Sequence, residues 1–142
     1  MELSKKGDWF SDLRVFVYGT LKPGGRYWPA YCEGKVATVR DASVNGRLYE
    51  LSVGYPALTL GGDERVEGCV LEFLHADGLR GLDFLEGFNP LQPNAPGTEY
   101  TRCRTKALIG GEEASGIWTY VMSEERIQRA GGQWIVSGKW QE

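Results

Sequence analysis

Two features of this chain could do chemistry together: a run of backbone amides after Tyr18 and the carboxyl of Glu86. In Arg14-Val15-Phe16-Val17-Tyr18-Gly19-Thr20-Leu21-Lys22-Pro23-Gly24-Gly25, the apolar run 15–17 suits a strand covered on both faces. Gly19 marks where that strand breaks. A break of this kind turns consecutive N–H groups away from sheet pairing, and such groups form a nest for a carboxylate or an oxyanion. Glu86 is an acid on the apolar stripe of a short helix, where a carboxyl can exchange protons with a bound molecule. Taken singly, each feature has an ordinary reading. The first is then a strand end with a common turn, and the second a last-turn glutamate rotated into solvent. The helix dipole disfavours an acid at that end by about 0.3–1 kcal/mol, which makes its presence there more informative.

The elements that must position these groups follow from pattern. A helix is expected over Asp77–Glu86, with Asp77 as N-cap and Gly87 ending it in a left-handed turn. Leu79, Leu82 and Glu86 then share one face, with Asp83 at its edge. A proline-bearing loop from Phe88 to Thr98 leads to a strand over 100–109. Gly110-Gly111 turns that strand back onto 114–121. Ser123-Glu124-Glu125-Arg126 reads as a capped helix start that Gly131-Gly132 stops, and the tail is apolar at Trp134-Ile135-Val136. Upstream, Asn45-Gly46 is a tight-turn pair, so 36–51 reads as a hairpin. Tyr55–Leu58 begins an extended piece, Gly61-Gly62-Asp63 makes a turn, and Arg65–Leu74 reads as a strand buried on both sides near its end. Residues 1–12 read as an N-terminal extension with Trp9 and Phe10 against the body, and 13–142 as one domain.

Composition sets bounds. The chain has 142 residues, long enough for one domain with a substantial core. A net charge of −3 with 25% charged residues gives no electrostatic footprint for nucleic acid or an anionic membrane. No apolar stretch approaches the roughly 18–20 residues that span a bilayer, and the N-terminus lacks a secretory pattern. The cysteines, Cys32, Cys69 and Cys103, are odd in number and widely spaced, which points to a reducing cytosol rather than a disulfide framework. The 20 glycines are dispersed, as many tight turns between short strands require.

Several catalytic arrangements are excluded. His75 is the only histidine, so a histidine-based metal cluster is not supported, and it reads as a helix-entry or surface residue. There is no Gly-x-Ser-x-Gly elbow, and Gly19–Gly24 has the wrong spacing for a phosphate-binding loop, besides carrying Pro23. The ordered trio Val17-Tyr18-Gly19-Thr20-Leu21, Leu82-Asp83-Phe84-Leu85-Glu86-Gly87 and Tyr100-Thr101-Arg102 resembles the γ-glutamylcyclotransferase-like superfamily, which includes γ-glutamylamine cyclotransferase and AIG2/YtfP-type proteins. The resemblance spans roughly residues 13–122. It implies an α+β fold, a small, strongly twisted mixed β-barrel with a few short flanking helices. It also implies Glu86 as catalytic acid/base, with Tyr18, Gly19, Thr20, Leu21, Tyr100 and Tyr120 holding substrate. Arg102 falls to structural support. The proline-rich loop 88–99 looks longer than in compact relatives and leaves substrate identity open.

The activity so implied is intramolecular aminolysis of a γ-glutamyl amine or amino acid, giving 5-oxoproline and a free amine without cofactor or metal. Burial beside Leu79 and Leu82 is expected to raise the Glu86 pKa toward neutrality. The amides at 19–21 then hold either the substrate carboxylate or the developing oxyanion. A small-molecule partner, no nucleic acid, no membrane and a monomeric or homodimeric state complete the expectation. The rival readings are a non-catalytic binder of a carboxylate or γ-glutamyl ligand on the same scaffold, and an enzyme acting on another γ-linked or aminoacyl group.

Overall fold

Val15, Phe16 and Val17 are all buried because β1 (Arg14–Val17), which runs between two other strands, has an apolar cluster against each of its faces. In the computed structural model, which describes residues 9–142, β1 pairs antiparallel with β3 (Pro56–Phe73) and parallel with β5 (Glu112–Val121). β5 pairs with β4 (Thr101–Ile109), β4 with β2 (Val36–Glu50), and β2 with β3, each antiparallel. These five strands close a mixed ring of hydrogen bonds, and β6 (Gln133–Ile135) pairs with the end of β2. Among the described residues, three short helices, α1 (Trp28–Tyr31), α2 (Ala76–Glu86) and α3 (Glu124–Arg129), complete the expected α+β architecture.

Side chains alternate across β1, so it serves two cores at once. Val15 and Val17 join Leu71, Phe73, Trp118 and the α2 residues Leu79 and Leu82. Phe16 and Tyr18 join Val44, Leu48, Leu58, Val66 and Ile117 on the other side. Leu79 and Leu82 have no exposed surface, which fixes which face of α2 turns inward. Gly87, at φ 74, ends the helix in the expected left-handed conformation, its N–H reaching the Asp83 and Phe84 carbonyls. The start of the helix differs from the sequence reading. His75 occupies the N-cap position without a side-chain capping bond, and Asp77 lies in the first turn, paired with Arg80 at 2.9 Å.

The expected hairpin over 36–51 is a single strand. β2 is continuous through Asn45-Gly46, which sits at a register shift against β3 rather than at a turn. Neither residue has positive φ, whereas a type I′ turn needs it at both. Gly46 answers a different demand, because a Cβ there would collide with the Thr59 carbonyl oxygen across the ladder. The reversal comes later, where the Leu51 N–H donates to the Tyr55 carbonyl at 2.8 Å. Gly61-Gly62-Asp63 likewise does not separate two strands. Asn45 faces Arg65 while Gly46 faces Leu60, so residues 61–64 have no partner in the β2 register and bulge out of β3.

Trp9 stacks on Trp118 at 5.3 Å and meets Phe88 edge-on at 5.2 Å, so the chain before β1 lies against the body there. Residues 1–8 of the expected extension lie outside the described residues. Among the described residues, no helix is long and apolar enough to cross a membrane.

Candidate active site

A buried ion pair anchors the helix that carries Glu86. Arg102 on β4 donates through Nε and Nη2 to Asp83 Oδ1 and Oδ2, at 2.7 and 2.9 Å. The Tyr120 hydroxyl donates to Asp83 Oδ1 at 2.6 Å, and Arg102 Nη1 donates to the Trp9 carbonyl at 2.6 Å. Arg102 is 1% and Asp83 4% exposed, and the guanidinium lies 4.4 Å from the centre of the Trp118 ring. Burial of two charges is tolerable only with this degree of hydrogen-bond completion. The network ties α2 to β4 and β5, and Glu86 follows Asp83 by three residues on the same side of the helix.

Glu86 faces a cavity of about 180 Å³ at the end of β1. Gly19, Thr20 and Leu21 form one part of its wall, with Pro56 and Tyr100 beside them. Tyr18 and Tyr120 lie at buried positions, while Tyr27, Tyr55 and Glu99 are at least partly exposed. In the 19–21 loop the carbonyls are used: Lys22 N–H donates to Gly19 O at 3.1 Å, and Tyr27 N–H to Thr20 O at 2.9 Å. The amides of Gly19, Thr20 and Leu21 find no acceptor among the described residues. Gly19 and Leu21 are buried, and a buried unpaired N–H costs about 1–3 kcal/mol unless a ligand or water takes it. Gly19 is required by close approach, since a Cβ there would overlap the Pro56 ring.

Electrostatics separate Glu86 from the other acids. Its carboxyl is pushed up from an ordinary 4.5 to about 7, first by burial, then by the negative charges of Glu99 and Asp83. Half-buried at the cavity wall, it is poised to hold or release a proton near neutral pH. Burial also drives the Tyr18, Tyr100 and Tyr120 hydroxyls up, so all three stay protonated and act as donors. Each already has an acceptor: the Tyr120 carbonyl at 2.8 Å, the Pro56 carbonyl at 2.7 Å and Asp83, respectively.

All seven residues expected at the site by sequence apart from Arg102 line this one cavity: Tyr18, Gly19, Thr20, Leu21, Glu86, Tyr100 and Tyr120. Arg102 lies behind it, holding Asp83. Asp83 is committed to that pair, and Glu72, an acid on β3, is exposed beside a different groove. The sequence reading missed Tyr27, Tyr55, Pro56, Leu85 and Glu99. Only Glu99 carried a local signal, its position next to the Tyr-x-Arg motif. Among the described residues no cluster of three or more His, Cys, Asp or Glu is arranged to hold a metal. The three cysteines are unpaired, and burial pushes the Cys32 thiol up to about 12.

A closed ring of strands with one acid-bearing cavity where a central strand breaks defines a small α+β scaffold built around a small-molecule-sized pocket. The family described as gamma-glutamyl cyclotransferase, AIG2-like, matches residues 15–142, and the chain belongs to that family. An AIG2-like protein from Mus musculus superposes with a TM-score of 0.63 at 21% identity, over 82% of each chain. YkqA from Bacillus subtilis gives the same TM-score at 18% identity; 91% of this chain is covered, but it spans 39% of that structure's length. The solution structure of At5g39720.1 from Arabidopsis thaliana gives a TM-score of 0.62 at 23% identity, over 85% of this chain and 75% of the other. At these identities the likeness is one of fold. No curated protein sequence matches the chain.

Proposed function

We propose that the protein is a γ-glutamyl cyclotransferase-type enzyme that converts a γ-glutamyl amine or γ-glutamyl amino acid to 5-oxoproline and a free amine. The observation that carries this reading is the meeting of unpaired amides at 19–21 and a carboxyl of raised pKa in one cavity. Family membership supports cyclotransferase chemistry in general. The cavity supports the particular route.

In that route the substrate's own α-amine is the nucleophile, so the protein supplies shape and a proton carrier rather than a nucleophilic side chain. Glu86, as carboxylate, takes a proton from the α-amine. The nitrogen attacks the side-chain carbonyl carbon, closing a five-membered ring through an oxyanion. The bond from that carbon to the departing nitrogen then breaks, and Glu86 returns its proton to that nitrogen. No water is consumed, and every substrate atom is found in the lactam or the amine. A carboxyl near pH 7 serves both halves of this exchange better than one near 4.5. The amides of Gly19, Thr20 and Leu21 are the groups available for the α-carboxylate or the oxyanion. Unpaired cysteines fit the cytosol as the place where this would happen.

A turnover screen across γ-glutamyl donors, read as 5-oxoproline released, tests the reading. Ring-closed product with at least one donor supports it. Saturable binding without product would favour a binding protein on the same scaffold.

A further inference from the structure

Among the described residues, the charges lining the cavity are of one sign: of the fourteen that line it, Glu86 and Glu99 are the only charged ones, and none is a lysine or arginine. Of the cations nearest in sequence to the 19–21 loop, Lys22 donates through Nζ to the Trp140 carbonyl at 3.3 Å, and Arg26 is exposed and outside the lining, its guanidinium 5.5 Å from the centre of the Tyr27 ring. Glu99 is exposed and has no hydrogen-bond or ion-pair partner among the described residues. It is close enough to Glu86 to be the main charged group raising that carboxyl.

Resting on the cyclotransferase reading, we infer that Glu99 selects the leaving group, favouring γ-glutamyl amides whose departing amine carries a second positive charge over those whose departing amine carries a carboxylate. The glutamyl half seats against the neutral amides at 19–21 within buried walls, so its amide substituent passes Glu86 toward the exposed part of the cavity. There it meets Glu99, with Tyr27 and Tyr55 in the same part of the lining. An ammonium on the substituent gains a carboxylate partner. A carboxylate in the same place meets a like charge and finds no cation in the lining.

The test compares three γ-glutamyl amides of similar length, made from 1,4-diaminobutane, butylamine and 4-aminobutanoate, with wild-type protein and Glu99→Gln at pH 8. Exposed charge contacts are worth a factor of about two to five each. Removing one attraction and one repulsion should therefore lower the ratio of cationic to anionic kcat/KM by about tenfold. The butylamine compound is the internal reference, because any change at Glu86 affects all three donors alike. Wild-type preference in the order cationic, neutral, anionic, collapsing in Glu99→Gln and reversing in Glu99→Arg, supports the assignment. Equal or reversed wild-type preference, or an order untouched by both variants, overturns it. If none of the three is turned over, the cyclotransferase reading is decided separately by the wider donor screen. The same ranking is then measured as Kd by calorimetry, where its presence upholds the charge selection and its absence ends it.

Discussion

Replacing Glu86 by Gln should make the protein more stable, and increasingly so as pH rises. The carboxyl has a pKa of about 7 in the fold against an ordinary 4.5. A group raised in this way contributes its full stability below about pH 4.5, where it is protonated in both folded and unfolded chains. That contribution is lost as pH climbs through about 7, because the fold must then hold a charge that burial and two neighbouring acids disfavour. A difference of about 2.5 in pKa corresponds to roughly 3 kcal/mol at 1.36 kcal/mol for each pH unit. Because Glu86 is only half-buried and solvent reaches it through the cavity, roughly 1–2 kcal/mol is the expected size. Glutamine keeps the shape and cannot ionise. Urea unfolding of both proteins, at steps from pH 4 to 9, should show the stability of Glu86→Gln relative to wild type rising by that amount, mostly between about pH 4.5 and 7. A difference that stays flat with pH would mean an ordinary, solvated carboxyl and would refute the electrostatic reasoning.

Other perturbations reach the supports of the site. Asp83→Ala leaves the Arg102 guanidinium buried without its partner and should cost about 3–5 kcal/mol in urea unfolding, whereas an exposed pair such as Arg80–Asp77 should cost under about 1. Gly19→Ala puts a methyl into the Pro56 ring, so either the loop or Pro56 shifts; stability should fall by about 1–3 kcal/mol, and kcat/KM by up to about 10²-fold as the amides move. With Glu86 as the base, kcat/KM for a neutral donor should rise with pH to a plateau with an apparent pKa near 7. A limb near 4.5 would argue against that carboxyl.

How far the sequence disclosed this arrangement depended on the range of the interactions involved. The apolar run of β1, the Leu79/Leu82/Glu86 stripe, the Gly87 stop and the Gly110-Gly111 turn are set by neighbours within a few residues, and each is legible from pattern. Asn45-Gly46 misled because two different demands select the same residues. A tight turn needs positive φ, whereas here Gly46, without positive φ, serves a close approach to the Thr59 carbonyl on the paired strand. β6 and the bulge at 61–64 exist only through pairing with β2, which local propensity does not encode. At the site, the short motifs exposed the amide loop, Glu86, Tyr100 and Tyr120. Glu99, Tyr27 and Tyr55 enter the cavity because separate loops end near it, and no periodicity announces that. The partner of Asp83 was hidden for the same reason: Arg102 lies on a strand beyond the proline-rich loop.

The central claim is that Glu86 carries the proton during ring closure, and turnover of Glu86→Gln tests it most directly. Single-turnover release of 5-oxoproline from the best donor should fall by about 10²–10⁴-fold, while an unreactive γ-glutamyl analogue still binds within a few-fold of wild type. Turnover near the wild-type rate in that variant would contradict the account.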